Sequence, residues 1–388
     1  MKGQSAYITP ELLKWARQSA KLTVYQLSTK LKVKEKKVQD WENGTDFPTI
    51  NQLEKVAKYC RRPLSVFYLP EPPEDFQTLR DFRKKDQQRE YSTALTFIIR
   101  DIQRKQNWLS DILAEEDESK LDFVGRFTSD SAIADVAANI KEELEIDIAK
   151  NTDKAFKEWI TKVENKGIFV SLASNVHSHL LIDKDEVKGF AISDNLAPFI
   201  FINTADSKNS QLFTLVHELV HIWINATGLS AFDAIDFRNE SEKFDQLELF
   251  CNEVTAEILM PKDEILSEFR KFDRTQAYIE EKSKTFNVSS YAMIVRLLNL
   301  DLISLEEYRA FKKSFFELYE DYLEKQKNKP KPKGGPNYYV LQIRKNSRLF
   351  SHYVYSYYKS GKINGYDASN LLEIKVSRFR KLEQFLYS

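Results

Sequence analysis

Residues 214–224, TLVHELVHIWI, set two of the chain's five histidines four positions apart, with a glutamate beside the first, in an otherwise apolar run. An α-helix advances about 3.6 residues per turn, so His217 and His221 project from one face. Glu218 is rotated about 100° from His217, within reach of a water held at the pair. Two imidazoles so spaced bind a divalent metal, and the carboxylate beside them serves as general base. Four residues alone are open to coincidence, so this reading needs a third donor from elsewhere in the chain.

The segment FDQLELFCNEVTAEILMP, 244–261, offers one. Leu249, Val254, Ile258 and Leu259 mark an amphipathic helix that Pro261 ends. Glu248 and Asn252 are four apart and share a face. A glutamate from this second helix would complete a two-histidine, one-glutamate set that leaves a position open for water. Asn252 would then hydrogen-bond a ligand imidazole and fix its tautomer. On spacing alone Glu242, Glu253 and Glu257 compete with Glu248. Cys251 is expected to be simply buried. His177 and His179 are candidates to stabilise an oxyanion, although an exposed loop pair is expected to be uninvolved, and His352 is expected to pack or lie at the surface.

At 388 residues the chain is long enough for two or three domains. It lacks an apolar run of membrane-spanning length. The N-terminus MKGQSAYITPELLKW has no apolar signal-peptide core. Cys60 and Cys251 are too few and too distant to form a disulfide framework. A cytoplasmic protein is the expectation. Net charge is zero, yet residues 1–70 hold 13 Lys/Arg against 6 Asp/Glu and residues 321–388 hold 14 against 5, so the middle is acidic. Two basic ends suit a polyanion.

The first seventy residues read as short amphipathic helices with terminal signals. Thr9-Pro10 opens one, with Leu12, Leu13 and Ala16 inward; Thr23 precedes VYQLSTKL; KEKKVQDWEN runs to Gly44; Pro48-Thr49 starts INQLEKVAKYC. The pattern is that of a helix-turn-helix unit. Pro70, Pro72 and Pro73 then force an extended connection. Residues 77–150 read as charged helices. A helix through Phe156, Trp159, Ile160 and Val163 ends near Gly167, IFVSL follows as a strand, and two more strands are expected at 189–193 and 198–203. Strands just before the histidine helix suggest a sheet edge to which a peptide adds as a further strand. Residues 325–337 read as a basic linker, followed by two or three short helices. Their tyrosines, Tyr353, Tyr355, Tyr357 and Tyr358, would fill a small core or, with the nearby Lys and Arg, stack on nucleic acid. The fold class is mainly α with a small β-sheet, α+β.

LTVYQLSTKLKV, VQDWENG and PTINQLEKVAKY together resemble the Xre/Cro/lambda-repressor family, with Ser28 where that family usually has Ala. The resemblance implies a five-helix DNA-binding domain at 8–70 whose third helix enters the major groove. Lys34, Lys36 and Lys37 would then meet phosphates, and Gln39 a base. FTLVHELVHIW, PFIFINT, and E-x-x-x-N before A-x-x-L-M-P are similar to the ImmA/IrrE metallopeptidases. This second resemblance implies a zincin-like domain at 77–300, with a small helical region at 301–388. It further implies His217, His221 and Glu248 as metal ligands, Glu218 as catalytic carboxylate, and Zn2+ as cofactor, another divalent ion such as Mn2+ also serving. The activity implied is endopeptidase cleavage of a transcriptional repressor or similar regulator in a stress or mobile-element response. DNA, a protein substrate and a second copy of the chain are the expected partners, and no membrane. The alternative is a DNA-binding regulator whose peptidase fold is a non-catalytic sensor or scaffold.

Overall fold

The computed structural model of the chain describes residues 4–73, 80–81, 91–146, 152–177, 180–230, 246–269, 275–327, 335 and 337–388. Two compact units emerge, one formed by residues 1–78, 88–101 and 175–181 and the other by the rest of the chain.

In the first unit, α1 (Pro10–Ser19), α2 (Val24–Leu31), α3 (Glu35–Glu42) and α4 (Ile50–Cys60) are followed by a 3-10 turn, Leu64–Tyr68, which supplies the fifth helix. Thr23 with Gln26, and Thr49 with Gln52, form reciprocal caps that start α2 and α4 by satisfying amides the helix cannot. Gly44, at φ +72°, follows the end of α3 in the left-handed conformation expected of it. Leu12, Leu13, Leu27, Val38, Trp41, Leu53 and Val56 are fully buried. Beneath α3 lies a bidentate pair: Arg17 Nε and Nη2 donate to the Glu42 carboxylate at 2.6 and 2.9 Å, while Nη1 donates to the Leu22 carbonyl at 2.8 Å. The pair ties the end of α3 to α1.

The second unit is built on a five-stranded mixed sheet of order β1-β7-β5-β6-β2. Its strands are β1 (Arg80–Asp81), β2 (Phe169–Ala173), β5 (Gly189–Ile192), β6 (Phe199–Asn203) and β7 (Gly228–Ser230); β3 (Asn175–His177) and β4 (Leu180–Leu181), which belong to the first unit, pair with each other. β2 and β6 run parallel, and β5 is antiparallel to both β6 and β7. The three strands expected from the sequence are β2, β5 and β6. β7 and β1 escape a reading by pattern because they are three and two residues long and lack β-branched residues. Their presence makes β5 an interior strand, so it offers no free edge.

α7 (Thr152–Asn165) and α8 (Lys208–Trp223) pack on this sheet, and α6 (Ile133–Glu143) and α9 (Gln246–Leu259) pack on α8. α5 (Thr93–Glu115) spans the charged stretch before them. Every residue of α8 from Gln211 to Trp223 is buried, against β5, β6, α6, α7 and α9. Further on come α10 (Lys262–Phe269), α11 (Gln276–Thr285), α12 (Ser290–Asn299), α13 (Leu305–Lys327), α14 (Tyr338–Asn346), α15 (Arg348–Lys359), α16 (Gly365–Leu372) and α17 (Phe379–Leu386). Residues 325–327 of the expected linker belong to α13; 328–334 and 336 lie outside the described residues.

The outer strand β2 is covered by the C-terminal helices. Ser171 Oγ donates to the Lys345 carbonyl at 2.5 Å, and Ser347 Oγ donates to Glu164 Oε1 at 2.5 Å. Tyr355 and Tyr357 are buried, and the Tyr357 hydroxyl donates to Glu116 at 2.7 Å. These tyrosines fill a helical core. No described helix is long and apolar enough to cross a membrane.

Candidate metal centre

α8 starts at Ser207, whose Oγ accepts from the Ser210 amide. It enters a layer of Leu, Ile, Val and aromatic residues in which polar side chains are out of place unless something compensates them. Five such side chains nevertheless gather there: His217, Glu218 and His221 from α8, Glu248 and Asn252 from α9, none more than 4 % exposed. The two segments are brought together by the packing of α9 on α8.

Three of the five side chains converge. His217 Nε2 lies 3.1 Å from His221 Nε2 and 3.2 Å from Glu248 Oε2, and His221 Nε2 lies 3.1 Å from Glu248 Oε1. Among the described residues this is the group of His, Cys and acidic side chains arranged to hold a metal. In a tetrahedral zinc site with metal–donor bonds of about 2.0–2.1 Å, neighbouring donors stand about 3.3–3.4 Å apart. The observed triangle matches that within a few tenths of an ångström, and its two-nitrogen, one-oxygen donor set is one that zinc accepts. Burial alone would drive the Glu248 carboxyl up; attraction to His217 and His221 outweighs it and brings the group to about 2.

The competing glutamates fall elsewhere. Glu257 pairs with Arg296, Glu253 is half-buried, and Glu242 lies outside the described residues. The side chain of Asn252 reaches back along its own helix, its Nδ2 donating to the Glu248 carbonyl at 2.9 Å. Behind His221 stands Cys251, whose Sγ is 3.8 Å from Nδ1. Cys251 is fully buried, as is Cys60. His177 is exposed on β3, His179 lies outside the described residues, and His352 is exposed beside Tyr353 and Tyr387.

One residue of this site carries no side-chain chemistry and is not singled out by the sequence. A Cβ on Gly189 of β5 would stand 2.5 Å from Thr214 Cγ2, 2.8 Å from the Phe201 carbonyl oxygen and 3.0 Å from Glu218 Oε1. Glycine lets the strand press against α8 at the height of Glu218. The alternation of β5 places Gly189 toward the helix, but only the partner's position shows why it matters.

In the first unit, the residues expected to meet DNA lie on one element. Lys34 is the N-cap of α3, and Lys36 and Gln39 are exposed on it. Lys37 differs: its Nζ pairs with Asp46 at 2.5 Å, both side chains 43 % exposed.

Residues 13–67 match the helix-turn-helix family model, and residues 168–298 match that of the IrrE N-terminal-like domain, a metallopeptidase family. No curated protein matches the chain. The first match covers most of α1 with α2, α3 and α4, and the second covers β2, β5, β6, β7, α8 and α9, so the chain carries a helix-turn-helix DNA-binding domain of Xre type fused to a peptidase-like domain that matches the ImmA/IrrE description.

Proposed function

We propose that the chain is a DNA-binding, zinc-dependent endopeptidase that cleaves a transcriptional repressor or a regulator of similar kind, as part of a stress or mobile-element response. The observation that carries this reading is the buried triangle of His217, His221 and Glu248, with Glu218 adjacent on α8. A zinc ion held by these three residues supplies Lewis acidity toward a water molecule and a peptide carbonyl. Glu218 takes a proton from the attacking water as the new carbon–oxygen bond forms, and passes it to the amide nitrogen as the carbon–nitrogen bond breaks. Gly189 leaves Glu218 the room this transfer needs. Lys34, Lys36, Lys37 and Gln39 of the first domain hold the protein on DNA, where a repressor substrate is also found.

Purified protein incubated with candidate repressors from its own genome tests the reading, by metal analysis and by intact mass of the substrate. Stoichiometric zinc is expected, with a single cut that disappears in Glu218→Gln while the zinc stays. A His217→Ala variant that kept stoichiometric zinc would remove the ligand assignment. Zinc bound by the native protein without cleavage of any candidate regulator would favour the non-catalytic scaffold instead.

A further inference from the structure

A cavity of about 780 Å3 lies in the second unit, and none of His217, Glu218, His221 or Glu248 lines it. Its size is that of a small-molecule site. The lining divides by chemistry. One part is the first turns of two helices, Ser207, Asn209 and Ser210 of α8 with Ser289, Ser290 and Tyr291 of α12. Each cap serine occupies one first-turn amide, Ser207 that of Ser210 and Ser289 that of Ala292. The other amides and both helix dipoles raise the potential there. Lys284 and Lys312 line the same space with full charges, and the Lys312 ammonium lies 5.5 Å from the centre of the Tyr291 ring.

The remaining lining is aromatic and apolar. Phe213, Phe315 and Phe316 face the cavity, and Phe316 is 61 % exposed, an unusual position for a phenylalanine with no companion surface. The acidic groups in the wall are mostly engaged. Asp206 accepts from Ser210 Oγ at 2.6 Å and from the Ser207 amide at 2.7 Å, and pairs with Lys188 at 3.3 Å. Glu280 accepts from Gln276 at 3.1 Å, while Asp185 is exposed beside Lys184.

We propose that this cavity binds a nucleotide, its base against Phe213, Phe315 and Phe316 and its phosphates toward Lys284, Lys312 and the two helix starts. An inorganic anion would leave the phenylalanines wet, and an uncharged aromatic would leave the lysines and amides unanswered. A nucleotide satisfies both halves. Phe213 stands one turn before His217 on α8, so the occupant touches the helix that carries the metal donors.

The test is binding to the full chain by titration calorimetry, made in the metal-free Glu218→Gln protein so that it is independent of the peptidase reading. ATP, ADP and GTP are compared with tripolyphosphate, which carries the charge without a base. At least one nucleotide is expected to bind saturably, and about tenfold more tightly than tripolyphosphate. Removing both lysines, Lys284→Ala with Lys312→Ala, should weaken it about tenfold or more. Phe316→Ser should weaken the nucleotide and leave tripolyphosphate unchanged. All three side chains are exposed, so the variants keep the fold, which melting curves check. Absence of saturable binding of every nucleotide to about 1 mM would overturn the proposal. So would equal affinity for tripolyphosphate, or a lysine double variant that binds as the native protein does.

Discussion

The helix-turn-helix unit and the peptidase unit place their polar groups in opposite ways. In the first, a matched pair, Arg17 with Glu42, is buried, and the residues expected to do the work, Lys34, Lys36 and Gln39, are exposed. In the second, the working groups are themselves the buried ones. His217, His221 and Glu248 are turned toward one another, three donors around a common point. The contrast separates two reasons for burying charge. Arg17 and Glu42 answer each other completely and hold α3 on α1. The cluster of α8 and α9 is an arrangement that costs stability in an apolar layer and that a bound cation would offset.

The largest effect that sharpens this contrast is on chemistry. Glu218→Gln removes a proton acceptor but no donor of the triangle, so cleavage is expected to fall about 100- to 10,000-fold with metal content unchanged. Chelation should also lower the melting temperature, because metal bound only by the folded state stabilises it. A melting temperature indifferent to chelator would mean that the cluster is a structural network after all.

Next in size is the break of the matched pair. Arg17→Met leaves Glu42 buried, with side-chain exposure of 6 %, and without its counter-charge. The expected loss is about 3–5 kcal/mol for the helix-turn-helix unit, read by denaturant unfolding of the full chain. Replacing both residues, Arg17→Met with Glu42→Leu, should recover much of it. A double variant no better than the single one would show that the pair does more than neutralise itself.

Gly189→Ala probes the other unit. The added methyl meets Thr214 and the Phe201 carbonyl inside van der Waals distance, and overpacking of this kind costs about 1–3 kcal/mol. The strand must also retreat from Glu218, so cleavage is expected to fall while zinc remains. Native activity in Gly189→Ala would free Glu218 from any dependence on β5.

What was legible in the sequence follows the same division. The helix starts at Thr9-Pro10, Thr23 and Thr49, and the stop at Gly44, depend on groups within a few residues and read correctly. His217, Glu218 and His221 read from the period of one helix. Glu248 did not separate from Glu242, Glu253 and Glu257 by spacing, because the fold of the intervening chain decides which carboxylate meets α8; the family resemblance chose it. β1 and β7 are too short to carry a pattern. The Arg17–Glu42 pair, the Cys251 sulfur at His221 and the space above Gly189 are relations between distant residues, and no local pattern announces them.

The smallest expected effect lies on the exposed side of the comparison. Each lysine that contacts a DNA phosphate releases about one counterion, so its removal flattens the slope of log affinity against log salt by about one unit. Lys36 is exposed and has that full charge to offer. Lys37 is held by Asp46 at 2.5 Å, and the carboxylate already neutralises much of its charge. Lys36→Ala should therefore flatten the slope by about one and Lys37→Ala by clearly less. Asp46→Asn should act in the opposite direction and tighten DNA binding, since it releases Lys37 to the phosphates. These slopes are measured by fluorescence anisotropy of a labelled duplex over a range of salt. Equal slopes for the two lysine variants, with Asp46→Asn unchanged, would show that the pair opens on DNA and that both lysines work alike.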